Sequence, residues 1–196
     1  QSGLTVPASA GSLARTLGRR RTRQRVSSVI PTLETPRLLL VPPSQACADA
    51  YELFYTDGEA SRMYGGPITA GAAWARLAAD LGSWHLQGFG VWSLREKSSG
   101  EFVGTCGFWQ GKDWPRELTW WLLPQFRGRG LANEASLAAI RHAYEVLGWP
   151  VVETYMNDEN HQALALVLRL GAQFSRRQAF PDSRERDVYA IPRTAA

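Results

Sequence analysis

The stretch Trp120-Trp121-Leu122-Leu123-Pro124-Gln125-Phe126-Arg127-Gly128-Arg129-Gly130-Leu131-Ala132 constrains this chain more than any other. It opens as an aromatic, apolar run suited to a buried strand. Pro124 ends that strand because it has no N–H to give to a ladder. A basic loop with two glycines follows, and the spacing from Leu131 to Leu147 predicts a helix. Strand, glycine loop and helix together aim several backbone N–H groups and a positive helix end at one spot, which suits phosphate. Gly128 and Gly130 let the backbone approach a pyrophosphate with no Cβ in the way, and Arg127 and Arg129 bring charge. The competing reading is an ordinary turn with two solvated arginines. Asn133 stands where a dinucleotide fingerprint needs its third glycine, and Gly111-Lys112 is followed by Asp113, so there is no P-loop.

A chain of 196 residues is long enough for one domain with a substantial core. No apolar run approaches the roughly 20 residues of a membrane helix. The two cysteines, Cys47 and Cys106, are read as reduced, which fits a cytoplasmic protein, and no Cys/His spacing suggests a metal. The net charge of +4 misleads, because Arg15, Arg19, Arg20, Arg21, Arg23 and Arg25 all lie within residues 1–30, which hold no acid. Without them the body, residues 31–196, carries about −2, which gives nucleic-acid binding little support. The Arg-rich segment 1–30 reads as a flexible extension, with a transit peptide or nucleic-acid arm as rival readings.

Ordered elements begin near Leu38. Thr35 to Pro43 is a short apolar strand closed by two prolines. Ser44 to Tyr55 is predicted as a helix capped by Ser44, and Ala70 to Gln87 as a helix capped by Thr69 with Trp74, Leu77, Ala78 and Leu81 inward. Strands are expected over 89–95, 102–109 and 117–123, with Gly104 and Gly107 marking a close backbone approach. A strand over 151–156, a helix over 160–170 with Ala163, Leu164, Val167 and Leu168 inward, and strands over 172–180 and 186–191 complete the chain.

The segment Gln125-x-x-Gly128-x-Gly130-x-Ala132 resembles the acetyl-CoA loop of the GCN5-related N-acetyltransferases (GNAT). Asn160-x-x-Ala163-x-x-x-Val167-x-x-Leu170-Gly171, one strand later, resembles the family's second motif at the same spacing. Thr35-x-Arg37-Leu38-x-Leu40 resembles the opening strand of the branch that acetylates ribosomal-protein alanine, with Val41 where an arginine is usual. The resemblance runs nearly to the end of the chain.

It implies an α+β fold in which a mixed, mostly antiparallel sheet of six or seven strands splays between the fourth and fifth strands. About four helices flank that sheet. It implies acetyl-CoA as acetyl donor, an amine as acceptor, a monomer or homodimer, and no metal or membrane partner. The implied cofactor contacts are Gln125, Phe126, Arg127, Gly128, Arg129, Gly130, Leu131 and Ala132 around the pyrophosphate. Along the pantetheine arm they are the backbone of Trp121, Leu122 and Leu123, and the Asn160 side chain. Tyr64 and Trp84 are candidates for the acceptor site, with core packing as the rival role for each. Trp109, Trp114 and Trp120 add aromatic surface that could line it.

Amide formation from a thioester needs a neutral amine against the carbonyl carbon, and an ammonium is aided by a general base. Glu117, opening the fourth strand, is the chosen base, with His161 second and His85 and His142 weaker. The proton donor is less defined. Relatives place a tyrosine where this chain has Val167, so Tyr155, water, or unaided thiolate departure stand as alternatives. Cys106 as an acyl carrier is set against a small buried strand residue. A non-catalytic acyl-CoA sensor is the rival from another functional class.

Overall fold

Nearly continuous buried runs and two closely spaced glycines in the central strands build a sheet that carries everything else. The structure, a computed structural model, describes residues 29–193. Five antiparallel strands form the first sheet, in the order β1 (Leu33–Glu34), β2 (Leu38–Val41), β3 (Val91–Glu96), β4 (Phe102–Trp109) and β5 (Glu117–Leu122). Gly104 in β4 is required by contact: a Cβ there would lie 2.1 Å from the Trp121 carbonyl oxygen of β5. A second sheet is ordered β6 (Val152–Tyr155), β8 (Glu185–Ile191), β7 (Gln173–Ala179).

No ladder joins β5 to β6. This is the expected gap between the fourth and fifth predicted strands. It falls one number later because the two-residue β1 precedes them, which brings the described strands to eight, one above the expected range. Across the gap the Thr154 hydroxyl donates to Leu118 O at 2.8 Å.

Four α-helices pack on the sheets: α1 (Ala48–Thr56), α2 (Ala70–Gln87), α3 (Leu131–Glu145) and α4 (His161–Arg169). None is long and apolar enough to cross a membrane. Before α1 the chain makes a separate 3-10 turn over Gln45–Cys47, so the helix begins later than predicted. Thr69 does cap α2, accepting from Ala72 N at 3.2 Å. The inward face of α2 is Ala73, Leu77 and Trp84, whereas Trp74 is 52% exposed. In α4, Leu166 takes the inward place expected for Leu168. Both shifts amount to a small rotation, which apolar spacing alone defines poorly in helices rich in Ala and Leu.

The main core lies between the first sheet and its helices, with Trp92, Phe54, Phe108, Leu118 and Ile140 buried in it. Ile30 packs against that core and Pro31 O accepts from Trp92 Nε1 at 2.7 Å, so ordered packing reaches back to residue 30. Residues 1–28 of the Arg-rich segment lie outside the described residues.

Candidate active site

The glycine loop begins with a 3-10 turn over Pro124–Phe126 that buries Phe126. Gly128 and Gly130 then adopt φ of 74° and 76°, a left-handed conformation that disfavours a side chain. Gly130 is the N-cap of α3 and offers no capping side chain. The Glu134 N–H donates to Gly130 O at 3.1 Å. The N–H groups of Leu131, Ala132 and Asn133 precede that bond, and they open the helix without intrahelical acceptors. A Cβ built on Gly128 meets nothing within 4 Å, so the loop is open on that side. A pyrophosphate fits such a cradle.

The two loop arginines are placed differently from the sequence expectation. Arg127 turns inward and donates to Leu122 O and Ala60 O, both at 3.1 Å. Arg129 pairs with the buried carboxylate of Glu96. Two carbonyls and a buried acid hold these guanidiniums. Among the described residues, only Arg129 of the two has its charge offset by an acid.

A brace that the sequence did not signal fixes the loop from outside. Glu134, in the first turn of α3, accepts from Thr35 Oγ1 at 2.6 Å, Arg37 N at 2.8 Å and Arg37 Nε at 2.6 Å. Arg37 Nη1 also donates to Arg129 O at 2.7 Å. Burial pushes the Glu134 carboxyl up, but the bonds from Thr35 and Arg37 outweigh it and hold it below its ordinary value. Beside the brace runs a groove of about 780 Å³ whose lining includes Arg37, Gly130, Asn133, Arg141 and Arg169.

Strand pleating decides which backbone groups of β5 face the gap. The carbonyls of Leu118, Trp120 and Leu122 accept from Thr154, Tyr64 and Arg127, none of them in β4. Residues at this period of two turn their N–H groups the same way. Leu123 N instead donates to Val103 O at 2.9 Å, and Trp121 faces β4 with it. Of the three expected backbone contacts, Leu122 therefore turns its N–H toward the gap and Trp120 joins it. The Trp121 ring stacks on Phe54 at 4.2 Å.

A cleft of about 280 Å³ opens on this gap and brings together Tyr64, Glu117, Trp121, Tyr155 and Asn160. Trp84 does not reach it. Its indole is 4% exposed, donates to Val91 O at 2.8 Å and lies 4.6 Å from Trp92, in the core. Glu117 is half-buried, and burial pushes its carboxyl up to about 8 against the pull of Arg186. Tyr155 donates to Pro115 O at 3.2 Å, and burial keeps its phenol protonated well above the usual range. Asn160 caps α4, its Oδ1 accepting from Ala163 N at 3.2 Å, while it also lines the cleft. Capping and a cleft-facing role thus coincide in one residue.

The other candidates fall away from the cleft. His161 and His85 are exposed, and His142 packs edge-on against Trp92. Cys106 is fully buried, 3.7 Å from Ser136 Oγ, and burial pushes its thiol up to about 12, which fits a packing residue. Val167 is fully buried as well. Two residues that sequence reasoning passed over do line the cleft. Arg186 is held by Asn157 at 2.9 Å and by Asp182 at 2.9 and 2.6 Å. Asp80 accepts from Tyr51 at 2.7 Å, and burial raises it to about 6. Neither lies in a motif, so only the fold could reveal them. Among the described residues no cluster of three or more His, Cys, Asp or Glu side chains could hold a metal ion.

This arrangement has counterparts. Residues 37–173 match the family described as an acetyltransferase (GNAT) domain. The chain is 31% identical to an acetyltransferase of known structure from Agrobacterium tumefaciens, covering 87% of this chain and 99% of that one, with a TM-score of 0.77. It is 23% identical over 149 residues to YoaA of Bacillus subtilis, described as an uncharacterized N-acetyltransferase, across 74% of this chain and 84% of that protein. It shares the fold of the ribosomal L7/L12 alpha-N-protein acetyltransferase RimL, at 15% identity and a TM-score of 0.67 over 85% of this chain and 97% of that one. The match to the family spans Arg37 and Glu134 of the brace, the glycine loop, the splayed gap and the capping asparagine, and the chain belongs to the GNAT acetyltransferases.

Proposed function

We propose that this protein transfers an acetyl group from acetyl-CoA to a primary amine by direct attack within a ternary complex. The observation that carries the reading is the cleft at the splayed strands, which brings Glu117, Tyr155 and Asn160 together, with burial pushing the Glu117 carboxyl up to about 8. A base of that strength is matched to an ammonium near neutral pH.

When bound, acetyl-CoA supplies the thioester. The N–H groups of Leu131, Ala132 and Asn133, with the loop from Gln125 to Gly130, would hold its pyrophosphate at the start of α3. Arg141 and Arg169, in the adjoining groove, would face further anionic groups of the cofactor. The N–H groups of Trp120 and Leu122, with Asn160, would bond its amide-bearing arm. Glu117 takes a proton from the acceptor ammonium. The freed amine would form the N–C bond to the acetyl carbon as the C–S bond breaks. Tyr155, kept protonated, is proposed to give the departing thiolate its proton and to take back the one the nitrogen loses as the amide forms, exchanging its present bond to Pro115 O for one to sulfur. The buried, unpaired Cys47 and Cys106 support a reducing, cytoplasmic setting.

Release of free thiol on mixing the protein with acetyl-CoA and a panel of primary amines tests the reading. Tight acetyl-CoA binding with no thiol release from any amine would favour an acyl-CoA sensor, to which Val167, at the tyrosine position, lends support.

A further inference from the structure

Trp109 ends β4 and is the cross-strand partner of Glu117, so its indole shares a face of the sheet with that carboxyl. Trp114, from the turn between β4 and β5, stands 5.7 Å from it, the ring planes meeting at 71°. Both indoles are half-buried and line the cleft. Trp114 rests against the second sheet, on Tyr155 at 6.2 Å and Phe180 at 5.7 Å. Two indole faces thus form a corner, with the carboxyl beside it.

The turn is shaped to hold that corner. Gln110 Nε2 donates to Trp114 O at 3.3 Å, and Gln87 Nε2 donates to Gln110 O at 3.0 Å. Asp113 sits at φ 65°, a conformation that costs a non-glycine residue about 1 kcal/mol. Gly111 lies flat against the rings: a Cβ there would come within 2.6 Å of Trp109 Cη2 and 3.2 Å of Trp114 Cδ1. The left-handed aspartate and the close-fitting glycine shape this turn. They keep apolar surface facing the cleft, where water wets it at a cost of about 25 cal/mol per Å².

A flat ring is what fills such a corner best, stacked on one indole and edge-on to the other. A positive nitrogen carried on a short chain from the ring is then drawn to the same π faces. At about 280 Å³ the cleft lies below the roughly 300–1,000 Å³ of drug-sized sites, so its occupant is small. We propose that the Trp109–Trp114 corner recognises the acceptor, and that the acceptor is a small primary amine carrying an aromatic ring. The inference rests on the acetyl-transfer reading above and names the substrate class of that site.

The test compares phenethylamine with hexylamine as acceptors for the full chain, at saturating acetyl-CoA. The intact protein is expected to favour the aromatic amine about 10- to 200-fold in kcat/KM, the range an apolar pocket can supply. Trp114→Leu should bring the two amines within about threefold of each other, through the KM of phenethylamine, while the KM of acetyl-CoA holds. Gly111→Ala should do the same with both indoles present, because its methyl must push the Trp109 ring aside. Should Trp114→Leu fail to fold, Gly111→Ala settles the matter alone. Equal use of the two amines by the intact protein, or an aromatic preference that survives in both variants, would overturn the proposal and leave acetyl transfer standing. Where neither amine turns over, binding is read directly. Saturable quenching of tryptophan fluorescence by phenethylamine, weakened in Gly111→Ala, would then support the corner, and unchanged quenching would overturn it.

Discussion

Arg37 and Glu134 stand 97 positions apart, yet one side chain answers the other twice, through the Arg37 backbone N–H at 2.8 Å and its Nε at 2.6 Å. Because Arg37 also holds Arg129 O, the opening segment of the chain fixes the far side of the glycine loop. Arg37→Ala should therefore weaken acetyl-CoA binding by about 10- to 100-fold, the size of a lost charge-assisted hydrogen bond of about 1.5–3 kcal/mol. The Arg37 side chain is 47% exposed, so its loss should move the melting temperature by only a few degrees. Calorimetric titration with CoA beside a melting curve checks both, and unchanged CoA affinity would show that the loop holds its shape unaided.

Gly128→Ala and Gly128→Glu separate two demands on one position. Nothing lies within 4 Å of a Cβ there, so alanine meets only the left-handed backbone, at a cost of about 1–2 kcal/mol. Glutamate adds a negative charge where phosphate is proposed to sit. Alanine should lower CoA affinity about tenfold, and glutamate should abolish measurable binding. Equal losses in the two would mean that conformation alone matters.

Glu117→Gln should lower turnover about 10²- to 10⁴-fold near neutral pH while acetyl-CoA affinity hardly moves. The deficit should shrink at high pH, where free amine is abundant. The same substitution should stabilise the protein. Unfolded, the carboxyl loses its proton near 4.5, and folded it keeps it to about 8. Between those values the folded state binds more protons, so stability falls as pH rises from about 5 to 8, and glutamine removes that fall. A gain of about 2–4 kcal/mol at pH 8 is expected, from about 1.4 kcal/mol per pKa unit less solvent screening. Denaturant titrations of both proteins at pH 5 and pH 8 would show the gain, and an equal difference at the two pH values would mean that Glu117 titrates normally.

Arg186→Met tests the electrostatics from the opposite wall. Arg186 pulls the Glu117 carboxyl down, so its loss should raise that pKa and shift the acid limb of the rate profile to higher pH. Methionine keeps apolar bulk near Trp114 and Phe180, whose ring centres lie 5.7 and 5.1 Å from the guanidinium carbon. A profile that stays in place would remove Arg186 from the account.

The sequence was most readable where one short segment does its work locally. Gly128 and Gly130, the capping Asn160 and the apolar run of β5 all advertise their roles through backbone conformation or period. Trp84 was misleading because an aromatic near a helix end looks alike whether it meets a cleft or, as here, the carbonyl of Val91. Arg127 and Arg129 looked like phosphate ligands, but their partners Ala60 and Glu96 are remote in sequence and carry no matching signal. Arg186 and Asp80 were invisible for the same reason. Their importance comes from burial beside Glu117 or Tyr51, which only the assembled fold confers.

The missing ladder between β5 and β6 gives the molecule a seam. Across it the two sheets are tied by side chains, among them the Thr154 hydroxyl on Leu118 O and the Trp114 ring on Tyr155, rather than by rows of amides. Rotamers can loosen such ties in nanoseconds, whereas tearing a paired strand means partial unfolding. The seam between the sheets is also the line where Glu117 and Tyr155 meet the cleft. Whatever enters there works as mortar, and the protein should grow stiffer along that line once it is filled.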